Sequence, residues 1–310
     1  MTDIGFIHRT SPLERRLSKL RQSLFKRITR RAMPLFLRGA DIISTEPLIN
    51  GSHEPEICAL FTYLAKHGHH QALIDIGANI GLISCQVGEL FDTVHLFEPN
   101  PLALGVLRIN ARIALPDAHY LIHEYGLGAR SERLQLYVPR NNWGGAFVRS
   151  ADNQYDEDTL ARKDLHQRFD AANYDLVDIR IEPVATALGA VLDSLRRTGP
   201  VRAVIKIDVE GFEKLIIAGI ANIAAPTDDL FIIFENNQPG LDISDLLIQA
   251  PAGQTLYLLA SRIPPHPNAP RWVNSLASLL RGWEQTQLQH ASPVLSVGTY
   301  VLRLMPRNVA

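Results

Sequence analysis

Apolar positions along the chain follow two different periods. Between residues 12 and 32, Leu13, Leu17, Leu20, Leu24 and Ile28 recur three and four apart, the stripe of an amphipathic helix. Residues 34–52, with Pro34, Gly39, Pro47 and Gly51, read as a connector. Glu54 to Lys66 returns to helical spacing, with Ile57, Leu60, Phe61 and Leu64 on one face. From Ala72 the pattern changes. Short continuous apolar runs predict strands at 72–76, 93–97, about 119–125, 203–207 and 230–234, with later ones at 256–259 and 300–304. Helical stretches lie between them, at 80–90, 101–114, 187–197 and 212–221. Uninterrupted apolar strands alternating with helices predict a mostly parallel sheet covered on both faces, an α/β Rossmann-like architecture.

One region breaks the alternation. Leu134 to Val138 alternates as one arm of a hairpin, and 181–186 resumes as a strand. Between them, 139–180 is irregular. It holds the turn-rich Asn141-Asn142-Trp143-Gly144-Gly145, an acidic stretch from Asp152 to Asp158 and a polar helix over 157–170. This segment is read as an insertion or lid over one end of the sheet, with Trp143 and Tyr155 as candidates to stack on a sugar ring. The predicted organisation is a helical extension over 1–50 and one domain over 51–310, with a further helix near 272–283.

Charge alters the picture at one place only. The 310 residues carry a net −1, yet residues 9–38 hold ten Lys or Arg and one acid, leaving 21 basic and 31 acidic residues elsewhere. A basic amphipathic helix is suited to an anionic membrane surface, a partner or its own domain; it lacks the interleaved aromatics of a nucleic-acid platform. Two cysteines, Cys58 and Cys85, exclude a disulfide framework, and no apolar run is long enough to cross a bilayer. No apolar secretory core opens the chain, so the expected location is cytoplasmic, with a peripheral contact of residues 12–32 on the inner membrane face.

The polar residues that interrupt the apolar runs fall at predicted strand ends. Asp75 and the turn Gly77-Ala78-Asn79-Ile80-Gly81 close the first strand, Glu98 and Asn100 the second, Asp208 and Glu210 a third, Glu235 and Asn236 a fourth. Ligands of open α/β sheets bind outside those carboxyl ends. Glu98 lies 21 residues after Gly77, near the spacing at which an acid meets ribose hydroxyls. The turn lacks the third glycine of a pyrophosphate loop, and no Walker-type Lys-Ser/Thr is present, which disfavours dinucleotides. A nucleoside without phosphates fits better, namely S-adenosylmethionine. Asp75, Gly77, Ala78, Asn79, Gly81, Glu98, Asn100 and Asp208 are the expected donor-holding residues, with the turn N–H groups directed at the donor carboxylate.

Asp75-Ile76-Gly77-Ala78-Asn79-Ile80-Gly81, Phe97-Glu98-Pro99-Asn100-Pro101, Gly126-Leu127-Gly128 and Lys206-Ile207-Asp208-Val209-Glu210-Gly211-Phe212-Glu213 together resemble the FkbM-type methyltransferases. Gly51-x-x-Glu54-Pro55-Glu56 and Val184-Ala185-Thr186-Ala187-Leu188 also resemble that family, so the likeness spans roughly residues 50–260. Gly189 departs from the Leu-Asp common there, and 150–180 is longer than usual. The resemblance implies a class I methyltransferase fold, a seven-stranded sheet whose last strand is antiparallel. It also implies S-adenosylmethionine as donor and a hydroxyl of a sugar, glycoconjugate or natural product as acceptor. Asp208 and Glu210 stand where a base would, or they orient the donor amino group and cap the next helix. Asp208, Glu235 and Asn236 are an alternative set of hard oxygen ligands for Mg²⁺, which is not favoured. Competing readings are an N- or nucleic-acid methyltransferase, a donor-binding domain without catalysis, and an NAD-linked oxidoreductase.

Overall fold

The computed structural model describes residues 12–39, 41–150, 153, 169–249, 253–263, 270, 272–273 and 285–306. Its centre is an eight-stranded sheet. Edge to edge the order is Gln285–His290, Gly253–Ile263, Gly298–Met305, Asp229–Asn236, Arg202–Ile207, Ala72–Ile76, Thr93–Phe97 and His119–His123. The last five of these run parallel to one another. Gly298–Met305, the final strand of the chain, lies antiparallel to both its neighbours. The seven strands expected are present, and Gln285–His290 adds an eighth at the edge.

The strands are buried on both faces because their side chains alternate between two cores. Ala72, Ile74 and Ile76 join Ala203, Ile205 and Ile207 under helices Val184–Arg196 and Glu213–Ile223. Leu73 and Val204 turn the other way, towards Phe61, Leu64, Leu104 and Leu107 of helices Pro55–Lys66 and Pro101–Ala114. Each fully buried leucine or isoleucine contributes roughly 1.5–3 kcal/mol.

A second sheet forms beside the carboxyl ends of the first. Its order is Gly126–Gly128, Tyr174–Pro183, Glu132–Pro139 and Phe147–Val148. The expected hairpin arm therefore pairs with a strand that begins 35 residues after it ends, through the register Glu132↔Ile181 to Pro139↔Tyr174.

Several boundaries differ from the sequence pattern. The connector read over 34–52 contains helix Ile42–Asn50. The Asp41 carboxylate accepts the Ile43 N–H at 3.2 Å, and Gly51 ends the helix at φ 78°, so the helix forms despite Pro47. The helix expected over 80–90 contracts to Ser84–Val87 and a 3-10 turn, Gly88–Leu90. The strand expected at 181–186 is Tyr174–Pro183, and its helix starts at Val184. Tyr155, nearly all of the polar helix over 157–170 and most of 272–283 lie outside the described residues.

Candidate active site

The first strand's turn is tied to both neighbouring strands. The N–H groups of Gly77 and Ala78 both donate to the Phe97 carbonyl, at 2.9 and 3.0 Å, and the Asp208 N–H donates to the Ile76 carbonyl at 2.9 Å. Gly77 has φ +86°, and a Cβ there would sit 1.9 Å from the Asp208 carbonyl oxygen. Only glycine allows that approach. The backbone at Asn79 is left-handed as well, φ 50°, and its N–H donates to Glu98 Oε2 at 2.7 Å. Glu98 Oε1 accepts the Asn100 N–H, also at 2.7 Å. Burial pushes the Glu98 carboxyl up to about 7, against these two N–H groups, which favour its charge. With the Gly81 N–H bonded to the Ala78 carbonyl, the N–H groups of Gly77, Ala78, Asn79 and Gly81 are all engaged within the protein, and the turn meets the pocket as a backbone wall. The donor-carboxylate role expected of the N–H groups of Gly77, Ala78, Asn79 and Gly81 is corrected accordingly.

One pocket collects Asp75, Gly77, Ala78, Asn79, Glu98, Asp208, Glu210 and Glu235. Gly81 and Asn100 stand behind that wall. Gly81 packs on Leu107, and the Asn100 side chain accepts the Leu102 N–H at 3.0 Å as the cap of helix Pro101–Ala114. Asp75 is buried and takes a 2.6 Å bond from the Ser84 hydroxyl. Its Oδ1 and the Asn79 Oδ1 are buried without a hydrogen-bond partner. Lys206 Nζ lies 2.8 Å from Asp208 Oδ2. Burial opposes the Lys206 charge, but Asp208, Asp75 and Glu54 outweigh it and hold the amine protonated.

Glu210 sits in left-handed backbone, φ 49°, and its carbonyl accepts from Asn153 Nδ2 at 3.0 Å. Helix Glu213–Ile223 has Phe212 at its N-cap with no side-chain cap bond, and the Glu213 carboxylate in its first turn accepts the Gly211 N–H at 3.0 Å. Asn236 faces away from the pocket, its amide donating to the carbonyls of Gln238 and Ser296 at 2.8 and 2.7 Å. The Asp208, Glu235, Asn236 set is therefore not assembled. Among the described residues no three His, Cys, Asp or Glu side chains are grouped to hold a metal ion. His67, His69 and His70 turn to separate partners, Tyr63, Asp229 and Asp92. His123 stacks on Phe97 at 4.1 Å and lines a different recess.

The second sheet and the N-terminal segment close the pocket from above. Leu136, Phe147, Val148, Ile179 and Ile181 supply an apolar wall, and Trp143 lies at the rim with the Arg38 guanidinium 4.5 Å over its ring. Met33, Leu35, Leu37 and Ile43 pack on Ile80, Leu82, Ala103 and Trp143. Asn110 stitches that segment to the glycine turn. It accepts the Phe36 N–H at 2.7 Å and donates to the carbonyls of Phe36 and Ile80 at 3.1 and 2.8 Å. The sequence pattern marked neither Asn110 nor His53. Sequence reasoning places Glu54 at a helix start and within a motif and gives it no role, yet it lines the pocket with His53. A buried asparagine in an apolar helix face was the one available signal for Asn110.

The pocket's donor set suits S-adenosylmethionine: a side-chain-free wall, a buried acid oxygen still to be satisfied, and an acid at the second strand end. With this sheet order, these features define a class I S-adenosylmethionine-dependent methyltransferase. The methyltransferase FkbM domain matches residues 75–243, more than half of the chain, and the chain belongs to that family. No curated protein matches it. Among solved structures, it is similar to a precorrin-6y C5,15-methyltransferase from Geobacter metallireducens, with 11% identity over 81% of this chain and 88% of that one, TM-score 0.36. A SAM-dependent methyltransferase from Agrobacterium tumefaciens shows 10% identity over 82% and 63%, TM-score 0.38. A precorrin 8w decarboxylase from Methanobacterium thermoautotrophicum shows 10% over 87% and 99%, TM-score 0.32.

Proposed function

We propose that the chain methylates a hydroxyl of a sugar, glycoconjugate or natural product. The carrying observation is the acid-lined floor of the pocket, with Asp208, Glu210 and Glu235 facing an apolar wall and the Trp143 rim. Bound S-adenosylmethionine supplies an electrophilic methyl group on a sulfonium. Asp75 and Asp208 are suited to its ammonium, Glu98 to its ribose hydroxyls, and Gly77, Ala78 and Asn79 to close backbone approach, with Gly81 packed behind them and Asn100 fixing the Glu98 corner. Asp208 and Glu210 are the proposed catalytic residues, orienting the acceptor hydroxyl for in-line attack, where positioning supplies much of the acceleration. The apolar wall excludes water and matches the bare face of a sugar ring or polycycle.

The test is a mass-spectrometric screen of glycans and natural products for one added methyl group, with Asp208→Asn and Glu210→Gln alongside. Methylation lost in both variants, with S-adenosylhomocysteine affinity intact in Glu210→Gln and weakened in Asp208→Asn, supports the roles given. Retention of near-wild-type methylation in both removes them.

We also propose a cytoplasmic location with peripheral contact at the inner membrane face through residues 12–32. No helix of the described residues is long and apolar enough to cross a membrane. On helix Pro12–Ile28, Leu20 and Leu24 are 66% and 60% exposed, beside Arg16, Lys19, Arg21, Lys26 and Arg27. Removal of residues 1–28 tests this and keeps Met33, Leu35 and Leu37, which pack against Leu82, a residue that lines the pocket. Salt-sensitive flotation with anionic vesicles that survives this deletion refutes the contact.

A further inference from the structure

We propose that Glu54 receives the proton of the acceptor hydroxyl, and that the donor's sulfonium charge, present before transfer and absent after it, sets when it does so. This rests on the methyltransferase reading of the pocket.

Glu54 stands at a constrained corner. It precedes helix Pro55–Lys66 with φ 44° and ψ 62°, a left-handed conformation that a glutamate adopts only when its surroundings enforce it. The enforcing contacts come from both sides. His53 donates its N–H to Gln86 Oε1 at 3.2 Å, and Gln86 Nε2 donates back to the His53 carbonyl at 2.9 Å. The Cys58 thiol bonds the same carbonyl at 3.4 Å, and the Cys58 N–H bonds the Glu54 carbonyl at 3.1 Å. Pro55 follows at the first helical position, where its fixed φ suits the helix start. His53 and Glu54 are thereby held in the pocket wall on the side of the strand ends bearing Asp208 and Glu235.

The groups facing Glu54 decide what it can do. Asp75 comes from the first strand, Lys206 and Asp208 from the fourth parallel strand, Glu235 from its neighbour, and Cys58 from the helix that Glu54 precedes. His53 lies 3.8 Å away and also 3.7 Å from Glu46; burial and Lys206 push its imidazole down to about 4, so it is neutral at pH 7. Burial pushes the Cys58 thiol up to about 12, and it too is neutral. Glu54 therefore shares the Lys206 ammonium with two other carboxyls, Asp208 and Asp75, and Asp208 already pairs with that ammonium at 2.8 Å. Burial first, and Asp208, Glu235 and Asp75 after it, push Glu54 up to about 7 against the pull of Lys206. A carboxyl titrating near the working pH is best matched to proton transfer.

The step balances in charge. The acceptor O–H bond breaks and its proton goes to the Glu54 carboxylate. The C–O bond forms as the S–CH₃ bond breaks, and that electron pair stays on sulfur, leaving a neutral thioether. One positive charge on sulfur and one negative charge on Glu54 vanish together, so the enclosed pocket keeps its net charge and no ion has to be left unpaired in a poorly solvated site. Before transfer the sulfonium favours ionised Glu54. After transfer the carboxyl holds its proton until the products leave.

Isothermal titration of the full chain at pH 7, in buffers of different ionisation enthalpy, counts protons exchanged on binding S-adenosylmethionine and S-adenosylhomocysteine. The expected result is proton release with S-adenosylmethionine, clearly less with S-adenosylhomocysteine, and loss of the difference in Glu54→Gln with S-adenosylhomocysteine affinity kept within about threefold. In the unmodified protein, the ratio of S-adenosylmethionine to S-adenosylhomocysteine affinity climbs as pH rises towards 7, by up to about tenfold per unit, which serves if the variant fails to fold. Equal release with both ligands overturns the proposal, because Glu54 would then answer the ammonium they share. Release unchanged in Glu54→Gln overturns it also. Failure of both ligands to bind the unmodified protein overturns the methyltransferase reading itself, a distinct result.

Discussion

Replacing Gly77 by alanine should unseat the donor site without touching a charged group. Gly77 has φ +86°, and the added Cβ would lie 1.9 Å from the Asp208 carbonyl oxygen and 2.9 Å from its carbon. The left-handed backbone alone costs a side-chain-bearing residue roughly 1–2 kcal/mol. The overlap is worse, because the carbonyl must retreat by about 1 Å to reach even a tight contact, and a misplacement of that size can cost about 10²-fold at a reacting centre. The 2.9 Å bond from the Asp208 N–H to Ile76 is strained by the same movement, a further loss of about 1 kcal/mol. A total of roughly 2–4 kcal/mol lowers Tm by about 3–6 °C in a chain of this size. S-adenosylhomocysteine affinity should fall by at least about tenfold, or 1.4 kcal/mol. Gly105 is the control. It lies in helix Pro101–Ala114 with nothing within 4 Å of a Cβ, so Gly105→Ala should stabilise by about 0.5–1 kcal/mol. Calorimetric melting and titration with S-adenosylhomocysteine measure both. A Gly77→Ala protein with wild-type affinity and Tm would refute the argument that backbone proximity builds this site.

Three further outcomes are expected. Asn110→Leu leaves the Phe36 N–H and the Ile80 carbonyl without their partners, which should cost about 1–3 kcal/mol, read as a lower urea midpoint; an unchanged midpoint means the N-terminal segment is not fastened there. Glu54 has a folded-state pKa raised by burial to about 7, so the unfolded chain loses this proton first and stability declines as pH rises from about 4 to 7. Glu54→Gln should flatten that part of the Tm–pH curve, and a curve of unaltered slope contradicts the shift. Asp229 is held below the usual carboxylate range, against its burial, by His69 at 3.1 Å and the bidentate Arg303 at 2.9 and 2.8 Å. Its stabilisation is present above the unfolded carboxylate pKa and lost as pH falls below about 4. Asp229→Asn should therefore melt earlier than wild type at pH 7 and converge with it in acid.

Much of the site could be read along the chain because its parts are local. A buried strand, a glycine turn and an acid at the next strand end are contiguous in sequence, and the parallel sheet brings their carboxyl ends together without further instruction. Glu98 follows from its spacing after Gly77, and Asp75, Gly77 and Asp208 follow from their places at predicted strand ends. Asn100 shows the limit of that reading: it belongs to the same motif, yet it caps a helix instead of lining the pocket. Glu235 and Asn236 show why. Successive residues of a strand point to opposite sides, so Glu235 lines the pocket while its neighbour bonds the carbonyls of Gln238 and Ser296.

By itself, then, the sequence determined the fold class, the donor-side strand ends and the basic amphipathic helix, since each depends on periodicity or on residues a few positions apart. Tertiary structure alone decided the roof, because Glu132–Pro139 finds its partner in Tyr174–Pro183 across the irregular segment. It decided that the N–H groups of Gly77, Ala78, Asn79 and Gly81 are spent on Phe97, Glu98 and Ala78. It also decided the electrostatics, because the proton affinity of Glu54 depends on Lys206, Asp208, Glu235 and Asp75, residues distant from it along the chain that only the packed sheet sets around one cavity.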